Sequence, residues 1–62
     1  MYMVYNHDTG LYGTVYHSLT AARCMAHAYS LWAKNERSVV NMETGEVMAT
    51  YTKGQETYRA KG

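Results

Sequence analysis

Apolar and polar side chains change rhythm twice along this chain. From Tyr2 to Tyr16, and again from Ser38 to Tyr51, they alternate as on a strand, whereas Ser18 to Asn35 (SLTAARCMAHAYSLWAKN) repeats with a helical period. At about 100° per residue, Thr20, Arg23, His27, Ser30 and Lys34 share one stripe, and Ala21, Ala22, Met25, Ala28, Tyr29 and Trp32 fill the opposite side. The spacing predicts one helix that packs the second set on a sheet. Ser18 is placed to cap its first amides and Asn35 to end it, with Lys34 and Arg37 near the carboxyl end where the dipole favours cations.

The two alternating segments are copies. Val4–Tyr16 reads VYNHDTGLYGTVY and Val39–Tyr51 reads VVNMETGEVMATY, 35 positions later, and both carry N-x-[DE]-T-G. Asn bonds backbone just ahead of itself, an acidic residue and Thr suit a type I turn, and Gly accepts positive φ, so each copy is expected to be a hairpin with a four-residue loop. That register pairs Tyr5 with Tyr12 and Val4 with Gly13 in the first copy, and Val40 with Val47 and Val39 with Met48 in the second. Strict alternation then puts Met3, Tyr5, Tyr12, Tyr16, Val40, Val47, Ala49 and Tyr51 towards the helix. The other face carries Tyr2, Val4, Leu11, Val15, Val39 and Met48, which one helix cannot also cover.

The expected fold is α+β in two layers, β-β-α-β-β, a four-stranded antiparallel sheet with the helix on one face and the strand order left open. Residues 1–52 form the domain, and the polar stretch KGQETYRAKG, 53–62, is read as a mobile tail.

Composition adds a constraint on stability. With 62 residues, the domain buries only about 60% of the surface its unfolded chain exposes. The single Cys24 excludes an internal disulfide, which raises the expectation of a homodimer. A lone thiol among alanines reads as a small buried group in a reducing compartment. The segment MYMVYNHD has neither the basic nor the apolar region of a secretion signal, and no apolar run is long enough to span a bilayer, so a soluble, cytoplasmic protein is expected. Seven Tyr and five Met, with no Phe, suit a protein interface.

Candidate chemistry is thin. Cys24 and His27 are one turn apart, yet His7 and His17 belong to opposite ends of a hairpin, so no zinc set converges and no metal is expected. No residue is placed to orient His27 as a base for Cys24, and Asp8, Glu43 and Glu46 gather in turns. No phosphate-binding glycine motif is present, and the reading is of a non-enzyme without cofactor. A net charge of +1 does not support nucleic-acid binding. That alternative would use the stripe Arg23, His27 and Lys34, with Arg37, Lys53 and a stacking Tyr2.

With the compact 62-residue frame, the N-H-D-T-G and N-M-E-T-G loops and the S-L-T-A-A helix start, the chain resembles the short accessory proteins encoded by bacteriophages. The resemblance implies a stoichiometric inhibitor or modulator of a host protein or defence complex. The residues themselves point to a protein-binding module. Its expected surface is the open face Tyr2, Val4, Leu11, Val15, Val39 and Met48, an apolar patch of the kind that marks binding sites. Arg23, His27 and Lys34 form a secondary surface.

Overall fold

The computed structural model describes residues 1–33 and 35–60; Lys34, expected on the helix stripe, lies outside them. The elements are β1 (Tyr2–Asn6), β2 (Leu11–Tyr16), α1 (Leu19–Ala33), β3 (Glu36–Asn41), β4 (Val47–Thr52) and β5 (Gln55–Arg59). One helix packs on one face of an antiparallel sheet ordered β2-β1-β3-β4-β5. The two-layer α+β expectation holds, but the sheet has five strands rather than four.

The fifth strand comes from the stretch read as a tail. Lys53 and Gly54 both adopt positive φ, 51° and 81°, which is the two-residue turn whose twist matches antiparallel strands. The chain therefore reverses directly from β4 into β5, and Ala60 is buried with its N–H donating to the Met48 carbonyl at 2.8 Å. Lysine rarely occupies the left-handed region, so the turn is easily overlooked.

The two N-x-[DE]-T-G loops form with the same hydrogen bonds. Asn6 Oδ1 accepts the Asp8 N–H at 2.9 Å, and Asn41 Oδ1 accepts the Glu43 N–H at 2.9 Å. Thr9 and Thr44 hydroxyls accept the N–H two residues on, and Gly10 and Gly45 sit at φ 71° and 76°. Equivalent residues of the copies then meet at the sheet centre: Val4 pairs directly with Val39 in the β1–β3 ladder. Strands β1 to β4 thus have a local two-fold relation, which β5 breaks.

Each hairpin also carries one extra residue at the same place. In the first, Tyr5 pairs with Tyr12 but Met3 pairs with Val15; in the second, Val40 pairs with Val47 but Val39 pairs with Ala49. The bulges fall at Gly13 and Met48, equivalent positions 35 apart. A bulge shifts every later side chain to the opposite face. Tyr16, Ala49 and Tyr51 face the helix as expected, whereas Met3, Tyr5, Tyr12, Val40 and Val47 are on the far side.

The core is correspondingly Val4, Val39, Ala49 and Tyr51 under Ala22 and Ala26, with Tyr2, Tyr16, Leu19, Tyr29 and Met48 packed around them. Val4 is 2% exposed and Val39 fully buried, each contributing roughly 1.5–3 kcal/mol relative to exposure. Small residues at Ala22, Ala26 and Ser30 let the helix approach the sheet closely. Ser30 lies on this seam, rather than on the outer stripe, because its hydroxyl donates to the His27 carbonyl at 2.8 Å and accepts the Gly54 N–H at 3.1 Å. Trp32, expected to cover the sheet, is instead 88% exposed. The helix begins as expected: Ser18 Oγ accepts the Ala21 N–H at 3.4 Å.

Candidate functional site

The surface expected to bind a partner is divided by the bulges. Val4 and Val39 are in the core, and Tyr2 and Met48 are half-buried against it, all on the helix side. Leu11 and Val15 remain exposed on β2, 66% and 39%. Four of the six residues were assigned to the open face because regular alternation was assumed through Gly13 and Met48.

The face without the helix has its own pattern. Register partners run Tyr12, Tyr5, Ser38, Thr50, Tyr58 across all five strands, and Val15, Met3, Val40, Val47 across four. Tyr12, Val15, Val47 and Tyr58 are exposed. Within the first row Ser38 and Thr50 are buried, their hydroxyls 2.9 Å apart, and His7 Nε2 lies 2.7 Å from Ser38 Oγ. Tyr5 packs edge-on against His7 and tilted against Tyr12, both at 4.9 Å between centroids. Small hydroxyls bonded to one another keep the middle of this face low while the tyrosines stand at its flanks.

The two outer edges differ. β4 is covered by β5, whereas β2 ends the sheet with Leu11 to Val15 all exposed and no charged residue or proline in its six positions. Charges, prolines and covering elements are the usual devices that prevent strand addition at an edge.

On the helix side, Thr20, Arg23, Cys24 and His27 face Tyr51, Glu56 and Arg59 across an open cleft of about 430 Å³. The stripe of Arg23 and His27 thus looks onto β5. His27 meets the Tyr51 ring edge-on at 5.8 Å. Glu56 Oε1 accepts the Tyr51 hydroxyl at 2.9 Å and the Arg59 Nε–H at 3.0 Å. The Tyr51 hydrogen bond, followed by Arg59, lowers the Glu56 pKa; burial, followed by that bond, raises the Tyr51 pKa. Cys24, read as buried, is exposed on the cleft wall. Among the described residues no three His, Cys, Asp or Glu side chains converge as metal ligands. Glu56 and Arg59 escaped the sequence reading because β5 did, and Tyr51 was read only as a residue facing the helix; the signal for β5 was Lys-Gly followed by the strand-forming pair Thr57 and Tyr58.

No family model matches the chain, and no curated protein or solved structure is detectably similar to it. No described helix is long and apolar enough to cross a membrane.

Proposed function

We propose that the chain is a non-enzymatic protein-binding module that takes an extended segment of its partner onto the edge of β2, with Tyr12, Val15, Tyr5 and Met3 beside it as a platform for side chains. The observation that carries this is the local two-fold relation: the edge of β4 holds an added strand, while the equivalent edge of β2 is uncharged and open. Strand addition gives affinity through main-chain hydrogen bonds and specificity through alternate side chains. The resemblance to phage accessory proteins supplies the class of partner, a host protein that the module would inhibit or modulate.

The nucleic-acid alternative meets a geometric obstacle. Register places Arg37 and Arg59 on the helix side, where Arg37 lies 5.4 Å from the Tyr29 ring and Arg59 lines the cleft with Arg23. Tyr2, the stacking residue of that reading, is on the helix side but half-buried against the core, and the exposed tyrosines, Tyr12 and Tyr58, stand with Tyr5 on the other face. A stacking platform works together with cations on the same surface, and here a whole sheet separates them.

The test is affinity capture from host lysate with the native chain and with the Y12K/V15K variant. Both positions are exposed, so circular dichroism should stay unchanged and the melting temperature should fall only by the loss of the Tyr5–Tyr12 ring contact, worth about 0.5–1.5 kcal/mol. The expected result is a partner captured by the native chain and lost by the variant, whose binding protects β2 amides from hydrogen exchange. Capture that survives the two lysines removes this edge from consideration.

A further inference from the structure

The cleft between α1 and β5 holds a donor that its own walls leave unused. Thr20, Arg23, Cys24 and His27 stand at i, i+3, i+4 and i+7, one side of the helix, and face Tyr51, Glu56 and Arg59. The Arg23 Nε is buried, and no group among the described residues accepts its proton. A buried donor without an acceptor is destabilising, and such groups are rare enough to need an explanation. Glu56 does not serve: its Oε1 accepts from the Tyr51 hydroxyl and the Arg59 Nε–H, and neither of its oxygens bonds the Arg23 Nε. Two guanidinium groups against one carboxylate leave these walls with a charge of +1 when His27 is neutral.

We propose that this cleft binds a carboxylate group, received by the Arg23 guanidinium with Arg59 on the facing wall. The cleft volume, about 430 Å³, falls within the range of about 300–1,000 Å³ typical of small-ligand sites. The flat guanidinium fork of arginine matches the two coplanar oxygens of a carboxylate, a geometry it also offers to phosphate. Charge separates the two. A carboxylate at −1 leaves the +1 walls neutral, whereas a phosphate monoester near −2 would leave a net −1 beside Glu56. The site is on the opposite side of the sheet from the tyrosine platform and uses none of the β2 residues, so the two proposals fail independently.

Cys24 provides the readout. It is the one cysteine of the chain, it is exposed, and it lines the cleft. The rate of its alkylation by iodoacetamide is followed with N-acetylglycine, representing a chain-terminal carboxylate, or N-acetylglutamate α-amide, representing an acidic side chain. Chloride and inorganic phosphate are run at matched ionic strength. At ten times the dissociation constant the better carboxylate is expected to slow alkylation about tenfold, because only the free fraction reacts. The compound that protects more assigns the source of the carboxylate. Protection should disappear in Arg23→Gln and weaken in Arg23→Lys, which keeps the charge but loses the fork. Arg59→Gln, at an exposed position, supplies a second loss-of-protection variant should Arg23→Gln fail to fold. Equal protection by chloride, greater protection by phosphate, or protection retained in a folded Arg23→Gln or, failing that variant, Arg59→Gln overturns the proposal.

Discussion

The two hairpins share a loop, a bulge position and a pairing partner, yet their second strands have opposite fates. In β4, Ala49, Thr50 and Tyr51 are buried; in β2, the equivalent Thr14 and Val15 are exposed and Tyr16 only half-buried. Nothing within the repeat accounts for this. β5 makes part of the difference, continuing from β4 through the Lys53–Gly54 turn and turning an edge into an interior strand, and the helix makes the rest by packing Ala22 and Ala26 with Ala49. Local sequence therefore determines the hairpin, and the neighbours outside the repeat determine its burial. β2 is the control for β4: the same element without its cover, and hence the edge on which the proposed partner strand would add.

The strongest way to break the comparison is to place a charge at one equivalent pair. Ala49→Glu forces a longer, charged side chain into a fully buried position packed with Ala22 and Ala26, where there is no room for it even with Arg59 as its cross-strand neighbour. It should cost about 3 kcal/mol or more and leave a chain this small largely unfolded. Thr14→Glu, 35 positions earlier and exposed, should change stability by no more than about 0.5 kcal/mol. Urea denaturation followed by circular dichroism separates the two; equal losses would mean that the copies are buried alike and that β5 does not distinguish them.

A smaller effect tests the loops, where the copies are most alike. Asn6 Oδ1 accepts the N–H of Asp8 at 2.9 Å and of Thr9 at 3.4 Å, and also the Asn35 side-chain amide at 3.3 Å. Asn41 Oδ1 accepts the Glu43 N–H at 2.9 Å. With each net hydrogen bond worth about 0.5–1.5 kcal/mol, Asn6→Ala should cost about 1–2 kcal/mol and Asn41→Ala about 1 kcal/mol. The same denaturation midpoints measure the gap. A larger loss at Asn41 would show that the bond to Asn35, which ties the first loop to the entry of β3, contributes nothing.

These contrasts explain what could be seen in the sequence. The repeated pentad carries a complete set of local instructions: Asn as acceptor, Thr as second acceptor, Gly at positive φ. The hairpins were accordingly legible, as was the helix start at Ser18. Bulges are different, because Gly13 and Met48 share no residue type and the extra residue shows only in the pairing. Missing it inverted the faces of β1 and β3 and sent Val4 and Val39 to the wrong side. Ser30 and Trp32 misled for a related reason: polarity alone places serine outside and tryptophan inside, while the close helix–sheet approach admits only a small side chain and gives serine two hydrogen-bond partners. The cleft was hidden behind the Lys53 turn. Arg23 and His27 were visible as a stripe, but the strand they face was not.

The finest comparison concerns the last equivalent pair, Tyr16 and Tyr51. Both have pKa values raised above the ordinary 10.0, Tyr16 by burial and then by the neighbouring Tyr29, Tyr51 by burial and then by its bond to Glu56. A raised tyrosine pKa means that the folded state holds its proton more tightly than the unfolded chain. The associated stability is present in full below pH 10 and is lost as pH rises through the folded value. Glu56 has the opposite sign: its pKa lies below the ordinary 4.5, so its contribution is present above that value and lost as pH falls through the folded one. Tyr16→Phe should therefore alter only the alkaline limb of a stability–pH profile. Tyr51→Phe should alter both limbs, because the hydroxyl that titrates at high pH is the donor that holds Glu56 ionised at low pH, and Arg59, with the charge of Arg23, retains the remainder of the acid limb. Urea midpoints across the pH range for the two variants measure this. An unchanged acid limb in Tyr51→Phe would mean that Arg59, and not the hydroxyl from β4, sets the charge of Glu56, and that β5 docks on β4 without the Tyr51–Glu56 bond.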